Sequence, residues 1–278
     1  MTAPMDAQEA DRALKTKHRA MWALGDYPAV AAEVVQELGP VLVQACGVGP
    51  DQRVLDVAAG AGNAAIPAAL AGAEVTASDL TPELLEAGQR IAAQHGAKLQ
   101  WEQADAEALP YDNDDFDVVM SSVGVMFAPH HQATADELVR VCRPGGTIGL
   151  INWTPEGFIG QMFATMKPYA APPPPGAQPP PLWGNQDHVT GLFGDRITDV
   201  TAERKVAHVD RFATGEEFRD YFKAQYGPTI ATYRNIAEDP EKVAALDRDL
   251  AELGRRFDLG SGKMEWEYLL FTARKAGS

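Results

Sequence analysis

Cysteine is nearly absent: the 278 residues include only Cys46 and Cys142. Neither belongs to a Cys-x-x-Cys pair, which argues against a disulfide framework and a zinc site. Positive charge is scarce too. Lys and Arg total 24 against 39 Asp and Glu, a formal net charge of −15. A duplex-binding protein needs a basic stripe to neutralise phosphates, and none is found. The field of such a chain repels nucleic acid and anionic membrane surfaces. No apolar run approaches the roughly 18 residues that span a bilayer. Met1–Asp11 is polar and acidic, unlike a secretory leader. These absences predict a cytoplasmic protein with no membrane span. No internal repeat is present.

What remains is an ordinary globular composition, 45% hydrophobic and 23% charged. The length suits one large α/β domain, alone or with a modest addition. Residues before about Asp6 read as a loose tail. Helical spacing covers Ala7 to Gly25 and then Pro28 to about Cys46, with Pro28 suited to a first turn. Short apolar strands follow at Arg53–Val57, Glu74–Asp79, Lys98–Glu102, Phe116–Ser121 and Thr147–Asn152. Helical segments separate them, including one opened by Thr81-Pro82 and one over Ala133–Val141. This alternation predicts a parallel, doubly wound sheet. Beyond it, Ala171–Pro181 carries seven prolines and reads as an extended crossing. Arg196–Arg211 reads as a strand pair or one long bent strand. Thr214 to about Phe257 reads as helical, with breaks near Gly227-Pro228 and Asp239-Pro240. Met264–Arg274 reads as a closing strand.

The chemistry concentrates on the loop Gly60-Ala61-Gly62, which follows the first strand and opens a helix. Glycines there let a ligand approach the backbone, and a helix start offers free N–H groups. Asp79, 19 residues after Gly60, ends the next strand, where a carboxylate accepts from ribose hydroxyls. This much also fits a dinucleotide site. Asp56, inside the first strand, would be repelled by a pyrophosphate but tolerated near a cation; it also suits a turn cap. Asp105 and Ala106 follow the third strand, where a carboxylate and an N–H can read an adenine edge; the other reading is a surface turn.

Taken in order, Val54–Asn63, Ser78–Leu85, Asp105–Pro110 and Arg143–Gly146 resemble class I S-adenosylmethionine-dependent methyltransferases. The likeness is to the ubiquinone/menaquinone-biosynthesis branch (methyltransferase domain types 11 and 25), and it covers about residues 50–152. It implies a Rossmann-like, doubly wound seven-stranded sheet with an antiparallel last strand and a helical cap. It also implies S-adenosylmethionine as cofactor. Gly60 and Gly62, with Asp56 and Ala58 of the same motif, would border its methionine part. Asp79 would hold the ribose, Leu80 would pack on adenine, and Asp105 and Ala106 would read the adenine edge. Ser121 and Ser122 would lie near the reaction centre. The chain divides accordingly: N-terminal helices acting as a lid over 1–48, a cofactor-binding core over 49–152, and a C-terminal part over 153–278. That last part holds cap helices at about 214–257 and the closing strand at about 264–274.

His18, Trp22 and Tyr27 could fold over the cofactor, or simply pack; Trp22 and Tyr27 join the cofactor-binding set. Met126, Phe127, Trp153, Tyr221 and Tyr226 are candidates for the acceptor wall, and core packing is the competing reading for the aromatics. His130 and His131 are candidate general bases, although ordinary loop roles suit them better. No metal is expected. After the fourth strand there is no Asp/Asn-Pro-Pro-Tyr/Phe, the feature of enzymes that methylate base amino groups. The expected partner is a small-molecule acceptor, methylated at O, N or C, and a homodimer is compatible with the sequence. Two rivals are an NAD(P)-binding oxidoreductase, for which no Tyr-x-x-x-Lys is present, and a non-catalytic cofactor-binding module.

Overall fold

The computed structural model describes residues 7–277. The tail expected before about Asp6 lies outside the described residues. The chain opens with three helices, α1 (Ala7–Trp22), α2 (Tyr27–Val34) and α3 (Leu38–Ala45), and then enters the sheet. Its elements are β1 (Arg53–Val57), α4 (Ala65–Leu70), β2 (Glu74–Asp79), α5 (Pro82–Gln94), β3 (Gln100–Gln103), β4 (Phe116–Ser122), α6 (His131–Val141) and β5 (Cys142–Trp153). Then come α7 (Phe158–Met166), α8 (Gln186–Phe193) and β6 (Ile197–Val209). The helices α9 (Gly215–Gln225), α10 (Gly227–Asn235) and α11 (Pro240–Phe257) precede the final strand, β7 (Met264–Lys275).

The seven strands lie in the order β3-β2-β1-β4-β5-β7-β6. All pairings up to β5 are parallel. β7 runs antiparallel to both β5 and β6. This is the Rossmann-like seven-stranded sheet with helices on both faces. The central strands are apolar throughout because both faces are covered; β1 buries Val54 to Val57. The order reverses between β1 and β4, so a crevice opens beyond their carboxyl ends.

Two local readings change in the structure, and one left open is decided. The helix expected over Pro28–Cys46 is two helices, broken at residues 35–37. Asn63 Nδ2 donates to the Val35 carbonyl at 3.2 Å. A Cβ on Gly39 would lie only 1.8 Å from the Asn63 carbonyl oxygen. The break therefore lets α3 sit directly on the glycine loop. Of the two readings left open for 196–211, the single long strand is the one found, as β6 with a register shift between Thr198 and Thr201. The Arg143–Gly146 turn joins the start of β5 instead of preceding it.

Two of these C-terminal helices begin on side-chain caps, α9 with Thr214 accepting from the Glu217 amide and α11 with Asp239 accepting from the Lys242 amide. They pack on α7 and β7 through an aromatic cluster of Phe158, Phe212, Phe218, Phe222 and Trp266. Phe158 and Trp266 stack at 4.8 Å with an interplanar angle of 18°. Among the described residues, no helix is long and apolar enough to cross a membrane.

Candidate functional site

A cleft of about 840 Å³, open mouth included, occupies the crevice at the carboxyl ends of β1, β2 and β4. Its wall includes Ala58, Gly60, Asp79, Leu80, Asp105, Ala106 and Ser122, together with Trp22, Tyr27 and Phe127. Ten of the seventeen cofactor- and acceptor-side candidates named above are thus brought together on one surface.

Asp79 is the centre of the site. It is 8% exposed. Its Oδ2 accepts from the Gly60 amide at 2.8 Å and its Oδ1 from the Thr81 amide at 2.8 Å. Burial pushes its carboxyl above the usual range, and these amides pull it back. The Thr81 hydroxyl and the Leu80 amide add to this pull, and the residue lines the cleft. The glycine loop is thereby tied to the end of the next strand, and its first amide already has a protein acceptor.

The backbone around the cleft is unusual. Ala58 has φ +53° and Val123 has φ +62°, a conformation that a β-branched residue rarely adopts. Strain of this kind concentrates at sites where a ligand must be met. Gly124 is required by the same packing, because a Cβ there would lie 2.1 Å from the Ala58 carbonyl oxygen. The two loops that follow β1 and β4 therefore touch, and they close the floor of the cleft.

One side of the cleft is aromatic. Trp22 meets Tyr27 edge-on at 5.3 Å and Phe127 at 4.7 Å. Tyr27 lies against the glycine loop, 3.4 Å from where a Gly60 Cβ would be. Burial, aided by the Asp79 charge, pushes the Tyr27 hydroxyl up to about 12, so it stays protonated near neutral pH. His18 is on the wall too. Burial and the Lys15 charge lower its pKa, which favours the neutral imidazole.

Several candidates lie elsewhere. Asp56 does not reach the cleft: it is 1% exposed, and neither carboxylate oxygen has a hydrogen-bond partner. Burial pushes its pKa to about 8, the nearby Ala65 amide offsets part of this, and Asp79 adds to it. Gly62, at φ +87°, makes room for Trp101 beneath the loop rather than for a ligand in the cleft. Ser121 Oγ donates to the Val57 carbonyl at 2.7 Å and accepts from the Val125 amide at 3.1 Å, so it clamps β4 to β1. Met126 is wholly buried. Trp153 packs edge-on against Trp266 and Tyr268, and Tyr221 against Phe212 under Arg211. Tyr226 sits behind Trp22, 5.8 Å away, as a second layer of the wall.

Neither candidate base reaches the cleft. His130 gives its backbone amide and its Nδ1 to Glu107, at 2.7 and 2.9 Å. His131 is enclosed; its Nδ1 lies 3.0 Å from Nε2 of His188, and its ring packs on Trp183. Burial, with help from His188, pushes His131 down to about 4. Local geometry explains these positions: His130 is the residue before α6 and His131 opens its first turn, and the helix packs on α8.

Lys15 is the residue that sequence reasoning missed. It lines the cleft with His18 and Trp22 at spacings i, i+3 and i+7, a single helix face that would have pointed to it. Its Nζ lies 3.0 Å from Asp105 Oδ1 and 2.5 Å from Glu107 Oε2. Among the described residues, Asp11, Glu107 and His130 approach closely enough to suggest a metal site. The Lys15 ammonium already neutralises that carboxylate, and we assign the cluster to an ion-pair network.

The cleft's donors and acceptors fit a nucleoside carrying a cationic, amino-acid-like arm. Asp79 and Asp105 follow successive strands onto the cleft wall, and Ser122 Oγ is buried without a partner. Comparison with known proteins agrees. The methyltransferase domain family matches residues 54–146. The chain is 54% identical over 275 residues to the Mycobacterium tuberculosis protein Rv1405c, covering 99% of this chain and 100% of that one. It is 40% identical over 103 residues to a demethylmenaquinone methyltransferase of Clavibacter sepedonicus, covering 37% and 42% of the two chains. A solved structure of a putative methyltransferase from Bacillus halodurans superposes with a TM-score of 0.58 at 19% identity, over 86% of this chain and 98% of that one, which shows the shared fold. By motif and topology together, residues 54–146 carry a methyltransferase domain, set on the seven-stranded fold of the class I S-adenosylmethionine-dependent methyltransferases.

Proposed function

We propose that the chain transfers the methyl group of S-adenosylmethionine to a small, uncharged acceptor with an aromatic or lipid-like body. One observation carries this reading. The carboxylates suited to the cofactor and the aromatic wall of Trp22, Tyr27 and Phe127 share one cleft. When bound, the cofactor supplies an electrophilic methyl group on a sulfonium whose departure leaves a neutral thioether. The protein's tasks are then binding, alignment and exclusion of water.

Asp79 accepts from the ribose hydroxyls. Leu80, Leu84 and Ala106 offer the apolar faces between which an adenine ring packs, and Asp105 accepts from its exocyclic amine. The acceptor lies against the aromatic wall. Among the described residues, the one charged side chain on the wall beyond Asp79 and Asp105 is Lys15, and two carboxylates neutralise it. A carboxylate or phosphate on the acceptor would find no free cation there among the described residues, which supports an uncharged acceptor. For an acceptor that must lose a proton, neutral His18 is the imidazole on the wall. His18→Gln is then expected to lower turnover about a hundredfold while leaving cofactor affinity nearly unchanged, as single-turnover and binding measurements would show. Equal loss in both would assign His18 to cofactor binding instead.

The primary test is calorimetric titration of the purified protein with S-adenosylmethionine, S-adenosylhomocysteine and NAD in parallel. Binding of the first two without NAD supports the reading and justifies an acceptor screen. Binding of NAD alone favours a nicotinamide-dependent oxidoreductase. Cofactor binding with no methyl transfer to any apolar acceptor tested would favour a non-catalytic module.

A further inference from the structure

Lys15 is only 9% exposed, an unusual burial for a lysine unless it is paired. Its ammonium bridges two carboxylates that follow β3, Asp105 and Glu107. Glu107 is held from the other side by the amide and ring of His130. Asp105 Oδ1 accepts from Lys15 Nζ at 3.0 Å and from the Glu107 amide at 3.0 Å. Protein donors therefore converge on one oxygen of Asp105, and the carboxylate lies on the cleft wall.

The far end of α1 is fastened to the cap. Gly25 bridges Tyr226, the Asp26 amide donates to the Gln225 carbonyl at 3.1 Å, and a Cβ on Gly227 would lie 2.3 Å from the Met21 carbonyl oxygen. The helix thus runs from these C-terminal helices to the adenine end of the cleft, where Lys15 is its contact with Asp105.

We propose that Lys15 is a positioning residue for adenine recognition: by holding Oδ1 of Asp105, it leaves Oδ2 as the acceptor for the exocyclic amine and ties α1 to that end of the cleft. This rests on the reading of Asp105 given above. A lysine that merely packed α1 would leave base selectivity untouched. A lysine that orients Asp105 sets that selectivity, because a misaligned carboxylate no longer separates an amine from a carbonyl.

The test is equilibrium binding of S-adenosylhomocysteine and its hypoxanthine counterpart, which carries a carbonyl in place of the amine. The full chain is compared with Lys15→Met, Lys15→Arg, Asp105→Asn and the Lys15→Met/Asp105→Asn double variant. The wild type is expected to prefer the adenine ligand, and Asp105→Asn to lose that preference. Lys15→Met is expected to reduce the preference by about tenfold, the scale of a charge-assisted hydrogen bond. Lys15→Arg should restore most of it, and Lys15→Met should change it no further once Asp105 is Asn. A wild-type preference in Lys15→Met, with loss in Asp105→Asn, overturns the proposal and leaves the reading of Asp105 intact. A wild-type preference in Asp105→Asn overturns that reading and the proposal with it. Should Lys15→Met fail to fold, Lys15→Gln takes its place, and a wild-type preference in that variant, with loss in Asp105→Asn, overturns the proposal in the same way.

Discussion

Replacing Asp79 with Ala is expected to weaken S-adenosylmethionine binding by about 1–3 kcal/mol, roughly 5- to 150-fold, the worth of charge-assisted hydrogen bonds. The structure adds a second source of loss. Asp79 holds the Gly60 and Thr81 amides as well as facing the cleft. Its removal frees both turns, so the loop that borders the ligand is no longer preorganised. Asp79→Asn preserves the shape but must turn an amide N–H₂ toward Gly60 or Thr81, where a donor meets a donor, and it should also bind weakly. Titration calorimetry on both variants decides the matter. An unchanged affinity in Asp79→Ala would sink the ribose assignment.

The second large effect is expected on stability. Asp56 is buried without a hydrogen bond, and its folded-state pKa is pushed to about 8. The folded protein therefore keeps a proton that the unfolded chain releases above roughly pH 4. The sign follows directly: this group makes the fold less stable as pH rises from about 4 to about 8. Each pH unit inside that window costs up to about 1.4 kcal/mol. Asp56→Asn cannot ionise and escapes this slope. Its stability relative to wild type is expected to rise by about 2–3 kcal/mol between pH 5 and pH 7, read from urea unfolding at each pH. His131 acts in the opposite sense, destabilising as pH falls from about 6.5 toward 4. It is present in both proteins and cancels in the difference. A constant difference between the two proteins across this range would mean that Asp56 is ionised in the fold.

Asp56 also bears on how a site is read from its residues. A carboxylate one step from the glycine loop looks like a ligand contact, and it follows the motif. Whether it faces the cleft depends on the strand's side-chain alternation. In β1, Asp56 falls on the covered side, near Cys46 of the α3 end. The same alternation separates Ser122, on the cleft wall, from Ser121, which serves the β1–β4 contact.

The sequence by itself determined the parallel α/β sheet, the glycine loop, and the placing of Asp79 and Asp105 after successive strands. These depend on short-range spacing: strand, tight turn and helix start are local in the chain, and the topology brings successive strand ends to one edge. The closing strand itself was legible, but its antiparallel direction only through family resemblance, because its partner β5 is over a hundred residues away in sequence; Thr147 pairs with Arg274. Tertiary structure alone decided the rest. Whether Tyr221 and Trp153 line a pocket or fill a core depends on which faces meet, and an aromatic at helical spacing serves either. Whether His130 faces a ligand or Glu107 depends on a contact made across 23 residues. Lys15 reaches Asp105 across 90 residues, and only the docking of α1 against the sheet edge brings that ammonium to the carboxylate. Pairings of this length leave no local pattern, because they arise from how finished elements pack and not from the order of residues within them.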